Sequence, residues 1–118
     1  MAGLRLDRSV RVAMLLKEEI AGVITRSMKD PGLKIVTVTH VKISKDLRDA
    51  DVYFSVLGSE NDIGKTGEIL RRASGFIRGE LGRKLRIKRV PRLSFKYDDS
   101  FDKGMKIEML MREISEDE

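Results

Sequence analysis

Two runs of carboxylates, Asp46, Asp49 and Asp51, then Asp98, Asp99 and Asp102, could do chemistry if folding brought them together. Oxygen ligands at that density suit a divalent cation, and a paired set would resemble a metal-dependent nuclease site. Both runs, however, lie in turn-rich stretches beside hydrophobic segments, where aspartate is favoured because its side chain bonds its own backbone. Turn chemistry is therefore the reading adopted, and no metal site is expected. The single histidine, His40, sits inside a β-branched stretch with no cysteine in the chain. That supports neither a zinc site nor a Ser-His-Asp arrangement, and disulfides and thiol nucleophiles are excluded. No catalytic residue and no cofactor is expected.

The cationic residues are more informative. Residues 1–64 carry ten Lys/Arg and nine Asp/Glu, residues 65–96 carry eleven and two, and residues 97–118 carry three and eight. The net charge of +5 is thus the sum of a nearly neutral first half, a strongly basic stretch and an acidic tail. Such a concentration of positive charge suggests a polyanionic partner.

Within that stretch a helical region is expected over 65–86, with Ile69, Leu70, Ala73, Ile77, Leu81 and Leu85 as its apolar stripe. At about 100° per residue, Ile77, Leu81 and Leu85 fall within about 80° of one another, and Gly75, Gly79 and Gly82 fall on the opposite side. Arg78, Arg83 and Arg86 flank or share the glycine side. A glycine costs a helix about 1 kcal/mol relative to alanine, so three on one side ask for a reason. A bare strip lets a partner backbone approach closely, and arginines beside it can clamp phosphates. Close packing against another helix would use small residues equally well. The surrounding Arg71, Arg72, Lys84, Lys88, Arg89, Arg92 and Lys96 favour RNA, since a protein partner would have to be strongly acidic. Phe76 is the only aromatic in the region, so phosphate and shape contacts to structured RNA are expected rather than base stacking. On this reading Arg78→Glu weakens binding and leaves folding intact.

These residues need a scaffold. A long first helix is expected over 7–28, with Val10, Ala13, Leu16, Ile20, Val23 and Ile24 as its stripe, capped by Asp7 or Ser9 and ended by Asp30-Pro31-Gly32. Two strands follow, over 35–44 and 50–57, joined by the polar turn 45–49 into a hairpin. The first changes phase near His40, which calls for a bulge or for cover on both sides. Gly58–Gly64 reads as a loop, Gly75 as a kink or a junction between two helices, and Leu93, Phe95 and Tyr97 as a third strand. Tyr53 and Tyr97 are expected at the core's edge. Ile107, Leu110, Met111 and Ile114 fit a short terminal helix, and its methionines suit packing or a protein partner. The expected fold is α+β, in the order α-β-β-α-α-β plus a terminal helix, with helices on one face of a three-stranded sheet. It forms a single domain over 1–118, with its core about 7–98 and an acidic segment over 99–118. No signal-like or membrane-spanning run is visible, and a soluble cytoplasmic protein is expected.

The element order resembles a type II KH domain in which Ala73-Ser74-Gly75 stands where the GXXG loop would be. Together with Asp30-Pro31, Val36-Thr37-Val38-Thr39-His40-Val41, Ser44-Lys45-Asp46-Leu47, Ala50-Asp51-Val52-Tyr53, Phe76-Ile77-Arg78, Val90-Pro91-Arg92-Leu93-Ser94-Phe95 and Asp98-Asp99-Ser100, this resembles the ribosome-binding factor A family over roughly 8–111. The resemblance implies a non-enzymatic factor that binds ribosomal RNA of the small subunit. It implies a role in late subunit maturation and in processing of the precursor's 5′ end, especially in the cold. A ribosome-associated GTPase is implied in release, and a monomer is expected. Ser74, Gly75, Arg78, Gly79, Gly82 and the following basic residues would form the RNA-contact region, with Arg8 and Arg11 added by the first helix. The alternative is a basic interaction module docking an acidic protein.

Overall fold

In a computed structural model, residues 8–28, 30, 33 and 35–116 are described. The elements are α1 (Arg8–Arg26), β1 (Val36–Ile43), β2 (Asp49–Val56), α2 (Glu60–Arg72), α3 (Ser74–Lys84), β3 (Arg92–Tyr97) and α4 (Ser100–Glu116). The sheet order is β1-β2-β3, with β1 antiparallel and β3 parallel to the central β2. The parallel pair is possible because α2 and α3 supply the crossover between β2 and β3.

Strand alternation decides which face is covered. Ala50, Val52 and Phe54 of β2 and Phe95 of β3 are buried, while Asp51, Tyr53, Ser94 and Lys96 point to the other face. The phase change in β1 resolves as a bulge, since the register with β2 shifts between Val38 and His40. The extra residue, Thr39, lets both Val38 and Val41 reach the core. Onto this face α1 lies against β1, α2 against β2 and β3, and α3 against α1 and β3. Leu16, Ile20, Val23, Leu70, Ile77 and Leu81 complete a continuous core.

Several expectations shift. Val10 is exposed, so the buried stripe of α1 begins at Ala13. Asp7, Pro31 and Gly32, invoked as helix signals, lie outside the described residues, and Ser9 is inside the helix. Tyr53 belongs to the open sheet face, tilted against His40 with ring centroids 6.0 Å apart. Tyr97 does sit at the core's edge, meeting Phe54 edge-on at 6.1 Å. The terminal helix is not short: α4 spans 17 residues, and Met105, Ile107, Met109, Leu110, Met111 and Ile114 are exposed along it.

Asp98 ties the bulge to the start of α4. The Thr39 hydroxyl donates to Oδ2 at 2.5 Å, and the Ser100 hydroxyl and N–H donate to Oδ1 at 2.5 and 3.0 Å. These donors, the Ser100 hydroxyl foremost, hold the carboxyl pKa at about 2. A pKa depressed in the folded state gives stability that is complete above the ordinary value of 3.8 and lost as pH falls toward about 2. Urea midpoints should therefore fall between about pH 4 and about pH 2. Asp98→Asn should flatten part of that slope; an unchanged slope would remove Asp98 from the linkage.

Candidate nucleic-acid interface

The basic region is two abutting helices. The first begins earlier than expected, within the segment read as a loop, because Ser59 and Asp62 form a capping box at the start of α2. The Ser59 hydroxyl accepts from the Asp62 N–H at 3.3 Å, and Asp62 Oδ2 accepts from the Ser59 N–H at 2.9 Å. The break falls at Ala73, with φ −84° and ψ 0°, rather than at Gly75, which lies in the first turn of α3. No side chain caps the start of α3, which follows α2 directly through the single helical residue Ala73. Ser74, half-buried, stands at that junction.

Gly75, Gly79 and Gly82 are exposed on the outer side of α3. A Cβ at Gly75 or Gly79 would meet nothing within 4 Å, and at Gly82 only Val90 Cγ2 at an ordinary 3.7 Å. None of the described glycines has a positive φ. Neither backbone conformation nor internal packing therefore requires glycine at these three positions.

The basic side chains divide into two groups. Arg78 donates to the Pro91 and Val90 carbonyls, at 3.1 Å each, and so fastens α3 to the segment before β3. Arg71 reaches the Phe95 carbonyl at 3.3 Å. Arg72 pairs with Glu68 at 3.7 Å, Arg83 with Glu80, and Arg92 with Asp49 at 3.0 Å. Lys96 pairs with Asp51 at 3.2 Å on the open sheet face, away from α3, so it does not share the glycine strip. Arg86 is not on the helix wheel at all, because α3 ends at Lys84 and Leu85 is already extended. By contrast, Arg8, Arg11, Lys65, Lys84, Arg86, Lys88 and Arg89 are in no ion pair among the described residues.

Folding brings Arg8, Lys88 and Arg89 together. They line a cleft of about 410 Å³ with Val12, Asp46, Leu47, Arg48, Ile87 and Pro91. Arg48 is the basic residue missed in the sequence, where it reads as part of an ordinary turn; the parallel pairing of β2 with β3, continued by the Arg92 N–H on the Arg48 carbonyl, carries it to this cleft. The six aspartates of the two runs are held apart by separate partners. Asp46 accepts from Ser44 and the Arg48 N–H, Asp49 and Asp51 pair with Arg92 and Lys96, and Asp98 bonds Thr39 and Ser100. Asp99 pairs with Lys103, and Asp102 accepts from the Tyr97 hydroxyl, a bond that raises the tyrosine's pKa. No cluster of three or more potential metal ligands occurs among the described residues, and none of their helices is long and apolar enough to cross a membrane.

A mixed three-stranded sheet covered on one face, with two abutting helices in place of a GXXG loop, defines a KH-like domain of type II. The chain belongs to the ribosome-binding factor A family: the family model described as Ribosome-binding factor A matches residues 8–111. Relatives of that name are 44% identical over 94% of this chain and 87% of the protein from Thioalkalivibrio sulfidiphilus, and 47% identical over 91% and 90% for Thermodesulfovibrio yellowstonii. The crystal structure of ribosome-binding factor A from Thermus thermophilus superposes with a TM-score of 0.68 at 30% identity, covering 75% of this chain and 93% of that one. A homology model of the Thermus thermophilus factor, fitted into a cryo-electron microscopy map of its 30S complex, gives 0.62 at 31% identity over 74% and 91%.

Two stability predictions follow from the packing. Gly79→Ala should stabilise the fold by about 1 kcal/mol in urea denaturation, because helix propensity improves and the methyl meets nothing. Arg78→Glu should lower stability by about 2 kcal/mol, since it removes charge-assisted bonds to two carbonyls. An unchanged urea midpoint in Arg78→Glu would show that those bonds do not hold the segment.

Proposed function

We propose that this chain, acting as one KH-like domain with an acidic terminal segment, binds ribosomal RNA of the small ribosomal subunit and assists late maturation of that subunit without catalysing a reaction. On this reading it works in the cytoplasm as a monomer, supports processing of the precursor's 5′ end, and leaves with the help of a ribosome-associated GTPase. The observation that carries the reading is the strip of Gly75, Gly79 and Gly82, exposed and required by nothing inside the fold. A strip that costs helix stability is explained if another backbone lies against it. The cations without internal partners at Lys84, Arg86, Lys88 and Arg89, at the end of α3 and just after it, suit phosphates. The 30S complex containing the Thermus thermophilus factor supports the same partner.

The mechanism needs no covalent step. Phosphate groups settle against the bare strip, while flexible lysines and arginines neutralise neighbouring phosphates. Binding energy would then favour one arrangement of the immature RNA over its competitors.

Co-sedimentation with precursor small subunits tests this. Gly79→Leu should weaken association at least tenfold, about 1.4 kcal/mol, by filling the approach surface. The double variant Lys84→Glu, Arg86→Glu should also weaken binding and reduce the slope of log affinity against log salt by about 0.9 per lost phosphate contact. Bulk ribosomal RNA should compete. If it does not, and an acidic protein does, the interaction-module alternative replaces this reading.

A further inference from the structure

Three separate segments, the start of α1, the β1–β2 turn and the stretch before β3, build the cleft that holds Lys88 and Arg89. The β1–β2 turn is held by Asp46, whose Oδ1 accepts from the Ser44 hydroxyl at 2.7 Å and the Arg48 N–H at 3.1 Å, and by the Leu47 N–H bonding the Ser44 carbonyl at 2.9 Å. The Arg92 N–H bonds the Arg48 carbonyl at 2.8 Å, joining this turn to the segment before β3. That segment is in turn anchored by Arg78 on the Val90 and Pro91 carbonyls.

Leu47 has φ 62°, the only positive φ at a non-glycine residue among those described. A γ-branched side chain is disfavoured there, and glycine or asparagine would serve the turn better. The strained conformation aims a half-buried leucine into the cleft opposite Ile87 and Val12, themselves half-buried. Four cations, Arg8, Arg48, Lys88 and Arg89, stand around the same opening, and none forms an ion pair among the described residues. Asp46 is the one carboxylate there, its pKa lowered chiefly by the Ser44 hydroxyl and then by the Arg48 N–H.

We infer that this cleft seats one nucleotide unstacked from the RNA, its base between Leu47, Ile87 and Val12 and its phosphate on Arg48, Lys88 and Arg89. The inference rests on the RNA-binding reading and adds a discrete pocket to it. A volume of about 410 Å³ lies in the range of small-ligand sites. Apolar walls with a cationic rim match an unstacked base joined to phosphate, the feature by which single-stranded and bulged RNA is commonly read. Phosphate alone would leave the walls without a partner.

The test is an NMR titration of the full chain with each ribonucleoside 5′-monophosphate, with inorganic phosphate and ribose 5-phosphate as controls. It is paired with ultraviolet crosslinking in the complex with precursor small subunits. Methyl shifts at Val12, Leu47 and Ile87 with nucleotides but not with the controls, and a nucleotide crosslinked within residues 46–48 or 87–89, are expected. Leu47→Gly removes one wall and relieves the backbone, so it should abolish those shifts with stability kept. Arg48→Ala should weaken nucleotide binding about tenfold. Equal shifts from inorganic phosphate, or neither shift nor crosslink while the protein still co-sediments with subunits, overturn the pocket and leave the RNA-binding reading standing. Loss of co-sedimentation in the unaltered protein instead removes the reading beneath it.

Discussion

Among the described residues, only one face of the three-stranded sheet is covered, and every helix of the core must share it. With β2 in the centre, Ala50, Val52 and Phe54 form the floor against which Leu16, Ile20, Leu70, Ile77 and Leu81 close. The bulge at Thr39 belongs to the same constraint, since in a regular strand the three-residue spacing from Val38 would turn Val41 toward solvent and leave the floor incomplete. The break at Ala73 belongs to it as well. A straight rod from Glu60 to Lys84 would be about 37 Å long at 1.5 Å per residue, longer than the eight-residue strands beneath it. Abutting two shorter helices lets α2 lie on β2 and β3 while α3 turns back against α1.

That inward commitment leaves the outer side of α3 free, and what stands there is glycine. Small residues between helices usually serve close packing, so the decisive point is what surrounds them. Gly75 and Gly79 face open space, and Gly82 has one ordinary contact. The fold would be served better by alanine at each position. Local stability and the observed sequence therefore disagree at this strip, and such disagreements fall where function rather than folding selects the residue.

Much of this was legible in the sequence, and the failures have identifiable causes. Strand alternation and the β-branched runs gave the sheet, and the phase change near His40 gave the bulge, because period two is unforgiving of an extra residue. The start of α2 was missed because glycines at 58 and 64 look like loop residues, although Ser59 and Asp62 carry the capping signal at the spacing a helix start needs. The break was placed at Gly75 because the apolar stripe gives no warning. Leu70 and Ile77 would lie within about 20° of each other on an unbroken helix, so burial passes through Ala73 without a change of phase. The family resemblance carried the fold and the family name further than composition could, but it did not say which arginines were already spoken for.

That last distinction alters how a basic stretch should be weighed. Of the eleven Lys/Arg between 65 and 96, six bind partners within the protein: Arg71, Arg72, Arg78, Arg83, Arg92 and Lys96. Exposed pairs such as Arg72 with Glu68 hold weakly and can exchange partners at little cost. Arg78 cannot, because releasing it would leave two carbonyls without their donor and free the segment that walls the cleft. Counting charge along the chain therefore does not separate the cations held by the fold from those left without partners, and it misses Arg48, which the turn between β1 and β2 brings to the cleft. Where a guanidinium finds backbone carbonyls of its own fold, architecture has first claim on it, and the residues left over define where an outside phosphate can land.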